Sequence, residues 1–217
     1  MPDGIDITVA TLSVNRWTRE EFDEAVKGVE QATAQLAAKG VDVVYLGGIP
    51  PLVLGEHGYY RKITSRMEEI AGRPACTDIG GVLAAFRALG VRRIAMAAPF
   101  EDWLNNLIRE HYALEGIDIV HMKGLQVQTG MQLRTMPSST EYTFACDVFR
   151  SSPVKPDALY IPASGWTSVR NIARLEQDLR VPVVTLFNSM AWWFLTTKGV
   201  QLRIRGFGRL LEMLDPE

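Results

Sequence analysis

One short pattern of residues occurs twice in the chain, and it constrains the fold more than any other feature. Residues 42–46 (DVVYL) resemble residues 157–161 (DALYI). Each pattern is followed by a turn of small residues, a helix, and a proline just before the next strand. Each series then ends in a helix closed by glycine, at Gly90 and Gly199. The ordered match predicts a duplicated half.

Strands and helices alternate along the chain, which is typical of a mostly parallel sheet with right-handed crossovers. The pattern predicts strands at 5–12, 41–46, near 75, and at 93–98, 118–121, 158–162 and 183–187. It predicts helices at 18–39, 59–71, 80–89, 101–114, 139–150, 167–179 and 189–197. We therefore expect an α/β fold of two pseudo-symmetric Rossmann-like lobes with a cleft between them. Residues 1–91 and 183–217 form the predicted first lobe, and residues 92–182 the second.

Composition excludes several classes of protein. The net charge is −2, from 23 basic and 25 acidic residues, which favours neither a nucleic-acid partner nor an acidic tail. No apolar run reaches the length of a membrane span, and residues 1–4 lack the features of a secretory signal. The two cysteines are far apart, and the three histidines lack metal-ligand spacing. We expect a reduced, cytoplasmic protein without a structural metal.

The turns after the two repeated strands are the predicted ligand site. In parallel α/β sheets, ligands bind beyond the carboxyl ends of the strands. Small residues follow both strands, at Gly48 and at Ala163, so backbone N–H groups can approach an anion there. The expected ligand is a small carboxylate, held in a cleft lined by both turns.

The chain also resembles the Asp/Glu racemase superfamily, and within it the maleate isomerase and arylmalonate decarboxylase branch. No single motif is specific, and the resemblance depends on an ordered series. That series comprises residues 43–48, 72–74, 82–83, 87–95, 99–100, 105, 157–161, 165, 181–184 and 206–210.

The resemblance implies cofactor-independent chemistry at a carbon next to a carboxylate. Family racemases use one cysteine in each half, maleate isomerases add a cysteine to the double bond, and arylmalonate decarboxylases keep one cysteine in the second half to protonate an enediolate. The corresponding positions here are Gly48 and Ala163, and Ala163 has no acid or nucleophile. Ile49 replaces a hydroxyl donor, and Phe100 stands at the position of the family tyrosine.

By the same resemblance, the chain begins late: an earlier strand with a loop that helps to grip the substrate carboxylate is missing before Ile5. The substrate-binding positions that the resemblance and the turns together assign are Gly48, Ile49, Phe100, Ala163, Ser164 and Gly165.

Three side chains are candidates for catalysis. Cys76 is either a small buried thiol at a strand end or a relocated thiol near the cleft. His57 lies in a long loop after Gly48, where it is either part of a surface lid or a general acid or base. Ser164 is an anion binder, a helix cap or a nucleophile.

Three further features have structural explanations. Asp78 precedes two glycines and would cap the next helix. Cys146 lies on an apolar helix face and should pack in the core. The aromatic residues 192–194 are dense enough to form an interface between two copies, so a homodimer is expected.

These observations favour an enzyme of the decarboxylase, isomerase or racemase type that acts on a small carboxylate or dicarboxylate without a cofactor. Loss of both thiols should abolish two-base racemisation, whereas decarboxylation depends more on stabilisation of charge. Two alternatives remain: a non-catalytic homologue that binds a carboxylate, and a hydrolase that uses Ser164.

Overall fold

A computed structural model describes residues 4–166 and 168–214. Its architecture is α/β with parallel strands, as the sequence predicts. The chain divides into two compact units, Met1–Gly80 and Gly81–Glu217. The predicted lobe boundaries differ from this division and stay a prediction. The strand at 183–185 pairs with the strand at 158–161 and so belongs to the sheet of the second unit.

The first unit holds a two-stranded parallel sheet and the helices packed against it. Its elements are α1 (Arg19–Lys27), α2 (Val29–Ala38), β1 (Val44–Leu46), α3 (Pro50–Val53), α4 (Tyr59–Ala71) and β2 (Ala75–Thr77). Helix α5 (Asp78–Leu89) begins in this unit and continues into the second. The predicted helix 59–71 has the observed bounds of α4, because Gly72 ends it in the left-handed region at φ 59°.

The second unit holds a four-stranded sheet in the order β4-β3-β5-β6. Its elements are β3 (Arg93–Ala98), α6 (Asp102–Leu114), β4 (Asp118–Gly124), α7 (Gly130–Arg134), α8 (Ser138–Arg150), β5 (Ala158–Ile161), a 3-10 helix (Ser168–Arg170), α9 (Ile172–Leu179), β6 (Val183–Thr185), α10 (Leu186–Thr197) and α11 (Arg209–Glu212). Strands β3 and β5 lie at the centre of this sheet and are almost wholly buried. The predicted helix from 167 begins on Thr167, which lies outside the described residues.

The predicted strand at 5–12 is wrong. The described part of that segment is irregular, and Ile7 and Val9 are 58% and 72% exposed. Alternation of apolar residues specifies a strand only where a neighbouring strand is present to pair with it. Here Leu12 packs against Gly28 instead, beside a groove of about 320 Å³ that α1 and α2 line on the other side.

The predicted helix 18–39 is divided at Gly28 into α1 and α2. Thr18 and Glu21 have the spacing of a capping box, which forms only in part. The Thr18 hydroxyl accepts a hydrogen bond from the Glu21 N–H at 3.4 Å. The Glu21 carboxylate, however, accepts from the N–H groups of Asn15 and Arg16, which precede the helix, and so fixes the chain that enters it.

The duplicated half is visible in matching contacts. We call β1 to α5 the first repeat and β5 to α10 the second repeat. In each, the middle helix ends in the left-handed region, at Gly72 (φ 59°) and at Arg180 (φ 62°). In each, a glutamate four residues earlier accepts a hydrogen bond from the first residue of the next strand: Glu68 from Ala75 at 3.3 Å, and Glu176 from Val183 at 2.9 Å.

The last residue of the second strand also has the same function in both repeats. Thr77 ends β2 and accepts a hydrogen bond from the Gly80 N–H at 3.3 Å. Thr185 ends β6 and accepts from the Asn188 N–H at 3.2 Å. A threonine therefore caps the helix that follows each strand, as is usual at a helix N-terminus.

Candidate functional site

The turn after β1 is held by a side chain from the start of α5. Gly48 has φ +114°, a conformation that favours glycine, and its N–H donates a hydrogen bond to Asp78 Oδ2 at 2.6 Å. Strands β1 and β2 are parallel neighbours, so their carboxyl ends, and the residues that follow them, lie at one edge of the sheet. The turn predicted to bind an anion is therefore already bonded to a carboxyl group of the protein.

Burial changes the acidity of Asp78. Its side chain is 2% exposed, and this desolvation raises its pKa to about 7. The hydrogen bond from the Gly48 N–H and the nearby Tyr45 side chain lower the pKa and offset part of that rise. Asp78 does not act as the predicted helix cap, because Thr77 accepts the capping bond. The contact between Asp78 and the turn after β1 was not predicted from the sequence.

Cys76 is a buried thiol in β2. Its Sγ lies 3.4 Å from the carbonyl oxygen of Thr77, and a Cβ added at Gly80 would lie 3.0 Å from that sulfur. Burial raises the pKa of the thiol to about 12, so it is protonated at neutral pH. These features fit a packed structural thiol, and a catalytic role for Cys76 stays a prediction.

The other two candidates of the first unit have different surroundings. Ile49 is fully buried and precedes α3, a short helix that the sequence did not predict. His57 is exposed, in the turn between α3 and α4. The structure thus brings Gly48 together with Asp78, whereas the assignment of His57 as an acid or base stays a prediction.

The turn after β5 contains three predicted binding residues. Ala163 is buried, Ser164 is exposed, and Gly165 is half-buried. A Cβ added at Gly165 would lie 2.9 Å from Leu133 Cδ2, so a larger residue there would require the Leu133 side chain of α7 to move. Ser164 is not the cap of an observed helix: the 3-10 helix begins at Ser168, and Asn171 is the N-cap of α9.

Phe100 follows β3, the neighbour of β5 in the sheet. Its ring is buried, and its carbonyl oxygen accepts a hydrogen bond from Asn105 Nδ2 at 2.8 Å. A Cβ added at Gly124 would lie 2.3 Å from that carbonyl oxygen, so the backbones approach closely there. Because β3 and β5 are parallel, Phe100 and Ala163 both lie beyond the carboxyl edge of one sheet.

Glu141 is a second buried acid that sequence reasoning missed. It lies on α8, is fully buried, and has a pKa raised to about 7 by desolvation. Asn171 lowers that pKa slightly, although the Asn171 amide donates its hydrogen bond to the Ser138 carbonyl at 2.9 Å. Neither carboxyl oxygen has a hydrogen-bond partner within 4–166 and 168–214. The spacing of Glu141 from the buried Ala145 and Val148 was the available signal.

Cys146 is buried on α8, as core packing predicts, and both cysteines are free thiols. The aromatic residues Trp192, Trp193 and Phe194 are half-buried, with the rings of the last two 5.8 Å apart. Their function as a dimer interface stays a prediction. Gly48 lies in the first unit and Ala163 in the second, so the predicted shared cleft also stays a prediction.

The described residues form neither a metal cluster nor a membrane span. No group of histidine, cysteine, aspartate and glutamate side chains among them could hold a metal ion. No helix formed by these residues is long and apolar enough to cross a bilayer.

Comparison with known proteins identifies relatives of one fold. A family model described as arylmalonate decarboxylase matches residues 1–211. The arylmalonate decarboxylase of Bordetella bronchiseptica is 26% identical over 202 residues, which are 93% of this chain and 84% of that protein.

Solved structures agree with the family match. A double mutant of arylmalonate decarboxylase in the liganded form has a TM-score of 0.86 at 25% identity, covering 92% of this chain and 85% of that one. The Nocardia farcinica maleate cis-trans isomerase bound to TRIS has a TM-score of 0.87 at 18% identity, covering 94% and 84%. The second likeness concerns the fold alone.

Proposed function

The chain belongs to the arylmalonate decarboxylase family, and on that premise we propose that it is a cofactor-independent enzyme of the decarboxylase or isomerase type. Its substrate is a small carboxylate or dicarboxylate bound at the strand-end turns. The family match over residues 1–211 is the observation that carries the proposal. The relatives named by the comparisons are decarboxylases and isomerases.

The chemistry needs groups that stabilise negative charge. In decarboxylation the bond between the α-carbon and one carboxylate breaks, CO₂ leaves, and the electron pair forms an enediolate on the remaining carboxylate. Fixed N–H donors stabilise such a charge better than water does, because they need not reorient during the reaction. Ser164 and Gly165, which follow β5, supply backbone N–H groups at the second turn.

The final step is proton transfer to the α-carbon. Positions 48 and 163 carry no thiol, and the Cys76 thiol is buried with a raised pKa. We assign the proton to solvent or to His57, which is exposed near the start of α4. Solvent would return a racemic or weakly selective product unless the protein shields one face of the enediolate, whereas His57 would deliver the proton to one face.

A non-catalytic carboxylate binder is the second candidate. Ala163 and Phe100 favour it, because neither offers a proton or a hydroxyl where related proteins have one. A hydrolase that uses Ser164 has the least support. Among the described residues no histidine or carboxylate is hydrogen-bonded to Ser164, so no base activates its hydroxyl group.

The test is a panel of phenylmalonate, maleate and amino acids incubated with the protein in deuterated water. We expect CO₂ release with deuterium at the α-carbon of the product, or isomerisation of maleate. Thermal stabilisation by a member of the panel without turnover of any of them would instead support the binder. No stabilisation and no turnover would contradict both.

A substitution at the second turn sharpens the test. We expect Ala163→Cys to raise phenylmalonate decarboxylation by about tenfold or more, because it adds a proton donor at the turn. Ala163→Ser is the matched control for side-chain volume. An equal rate for the two variants would show that the site no longer uses a donor at this position.

A further inference from the structure

The corner where β2 meets α5 carries an acid that the fold does not require. The second repeat builds the same corner, with Thr185 as the cap and Leu186 as the first residue of α10. Leu186 stands where Asp78 stands in the first repeat, and it is buried too. The matching corner forms with an apolar residue, so the start of the helix does not by itself explain Asp78.

The bond that Asp78 makes supplies that explanation. Its carboxyl oxygen lies 2.6 Å from the Gly48 nitrogen, across 30 residues of sequence. That N–H is a donor expected to face a ligand anion at the first turn. Pro50 has no N–H, so this turn offers a ligand one donor fewer and the Gly48 N–H matters more.

We infer that Asp78 makes ligand binding at the first turn proton-coupled: a ligand carboxylate binds beside Gly48 together with one proton, which Asp78 takes up. The inference rests on the proposed function, because it concerns the same ligand. It names a dicarboxylate as the ligand whose affinity depends on this residue, since in the proposed function the second carboxylate of the ligand is the group that the first turn binds.

Proximity gives the coupling its strength. Gly47 is exposed, and a Cβ added there would lie 3.8 Å from Asp78 Oδ2. A carboxylate that contacts this turn is therefore within a few ångströms of the Asp78 carboxyl. Two ionised carboxylates at such a distance repel, and binding a proton to one of them relieves the repulsion.

The groups that face Asp78 leave it as the proton acceptor. The Gly48 N–H hydrogen-bonds to it, and the nearby Tyr45 side chain of β1 lowers its pKa. Cys76 of β2 is already protonated, and the Asp78 charge contributes to its raised pKa. Glu68 of α4 also acts on Cys76, while its carboxylate accepts a hydrogen bond from Ala75. No cation of the described residues lowers the pKa of Asp78, and at about 7 this pKa lets the carboxyl group change charge near neutrality.

The experiment is calorimetric binding of phenylmalonate and phenylacetate, which differ by one carboxylate, in buffers of different ionisation enthalpy. For the wild-type protein at pH 8 we expect phenylmalonate to bind with uptake of about one proton, and phenylacetate with almost none. At pH 6 the uptake should vanish, because Asp78 is then already protonated. A merely structural carboxyl group would show no uptake at either pH.

Asp78→Asn keeps an oxygen for the Gly48 N–H and removes the charge. At pH 8 it should bind phenylmalonate about tenfold more tightly than the wild-type protein, because one pH unit above the pKa costs one factor of ten in proton-coupled binding. Proton uptake should disappear. Asp118→Asn, an exposed carboxylate at the amino end of β4, is the matched control and should change neither quantity.

A measurement without ligand guards against a variant that fails to fold. The amide resonance of Gly48 in the wild-type protein should shift with a midpoint near pH 7. A resonance that does not move between pH 6 and 8, or phenylmalonate binding without proton uptake, overturns the inference and leaves the proposed function standing. Failure of both acids to bind contradicts the proposed function and the inference together.

Discussion

The first and second repeats share their framework but differ in the residue that begins the closing helix. Both have a left-handed helix end, a glutamate that holds the next strand, and a threonine cap. At the next position the first repeat has Asp78, bonded to the turn two residues beyond β1, and the second has Leu186. The second repeat has these shared contacts without an acid at this position. We therefore relate the charge of Asp78 to the ligand site at the first turn rather than to the framework of the repeat.

The largest effect should come from placing an acid in the second repeat. Leu186 is 4% exposed, and Leu186→Asp would bury a charge at a position now packed with apolar atoms. We expect a loss of about 3–5 kcal/mol in the free energy of unfolding at pH 8. Urea denaturation measures it, with Leu186→Asn as the control for shape. A loss below about 1 kcal/mol would mean that the second turn offers this acid the same partner that Gly48 offers Asp78.

The next effect is the pH dependence of stability. The pKa of Asp78 is raised to about 7 in the folded protein from 3.8, so the fold binds its proton more tightly than the unfolded chain does. The stability linked to this group is full below pH 3.8 and is lost as the pH rises through 7. We expect the wild-type protein to lose about 2–3 kcal/mol from this group between pH 5 and pH 8.

Asp78→Asn should remove this part of the pH dependence of the free energy of unfolding. Urea denaturation between pH 5 and pH 8 measures it. Burial raises the pKa of Glu141 from 4.5 to about 7. This acid of the second unit therefore also makes the protein less stable as the pH rises. Glu141→Gln should remove this second part, and the double variant should lose the least stability of the four proteins between pH 5 and pH 8. A wild-type stability that does not fall between pH 5 and pH 8 would contradict the burial of both acids.

The smallest effect tests the matching helix ends. Gly72 and Arg180 have nearly the same left-handed conformation, but only glycine adopts it without strain. Gly72→Arg should lower the free energy of unfolding by about 1 kcal/mol, and Arg180→Gly should raise it by a similar amount. Thermal and urea unfolding measure both. Changes of the same sign would break the equivalence of the two repeats.

Much of the framework could be predicted because its signals are local. Gly72 ends α4 where the sequence places the end, and β3 has its predicted bounds because residues 94–98 form a continuous buried run. Residues 5–12 gave a wrong prediction, since alternation shows that a segment could be a strand but not that another strand lies beside it. The sequence does not predict helix α3, because the two prolines at its start indicate an interruption between elements rather than a helix.

The site was less predictable because its main contact is not local. Gly48 and Ala163 were found from the residues that follow the repeated strands. The sequence predicts only a helix cap at Asp78. Its bond to Gly48 joins residues that are 30 positions apart, and such a contact has no periodic signal in the sequence. An alignment of the two repeats that continues beyond their strands places Asp78 opposite Leu186. That alignment would have shown that only the first repeat has an acid at this position.

The burial of both native cysteines makes the protein a convenient host for chemical labelling. Cys76 is a protonated thiol packed against α5, and Cys146 is buried on α8. Alkylating reagents attack thiolates that they can reach, so both should react slowly in the folded protein. A single cysteine introduced at an exposed position such as Ser164 could then carry a fluorophore or spin label without removal of either native residue.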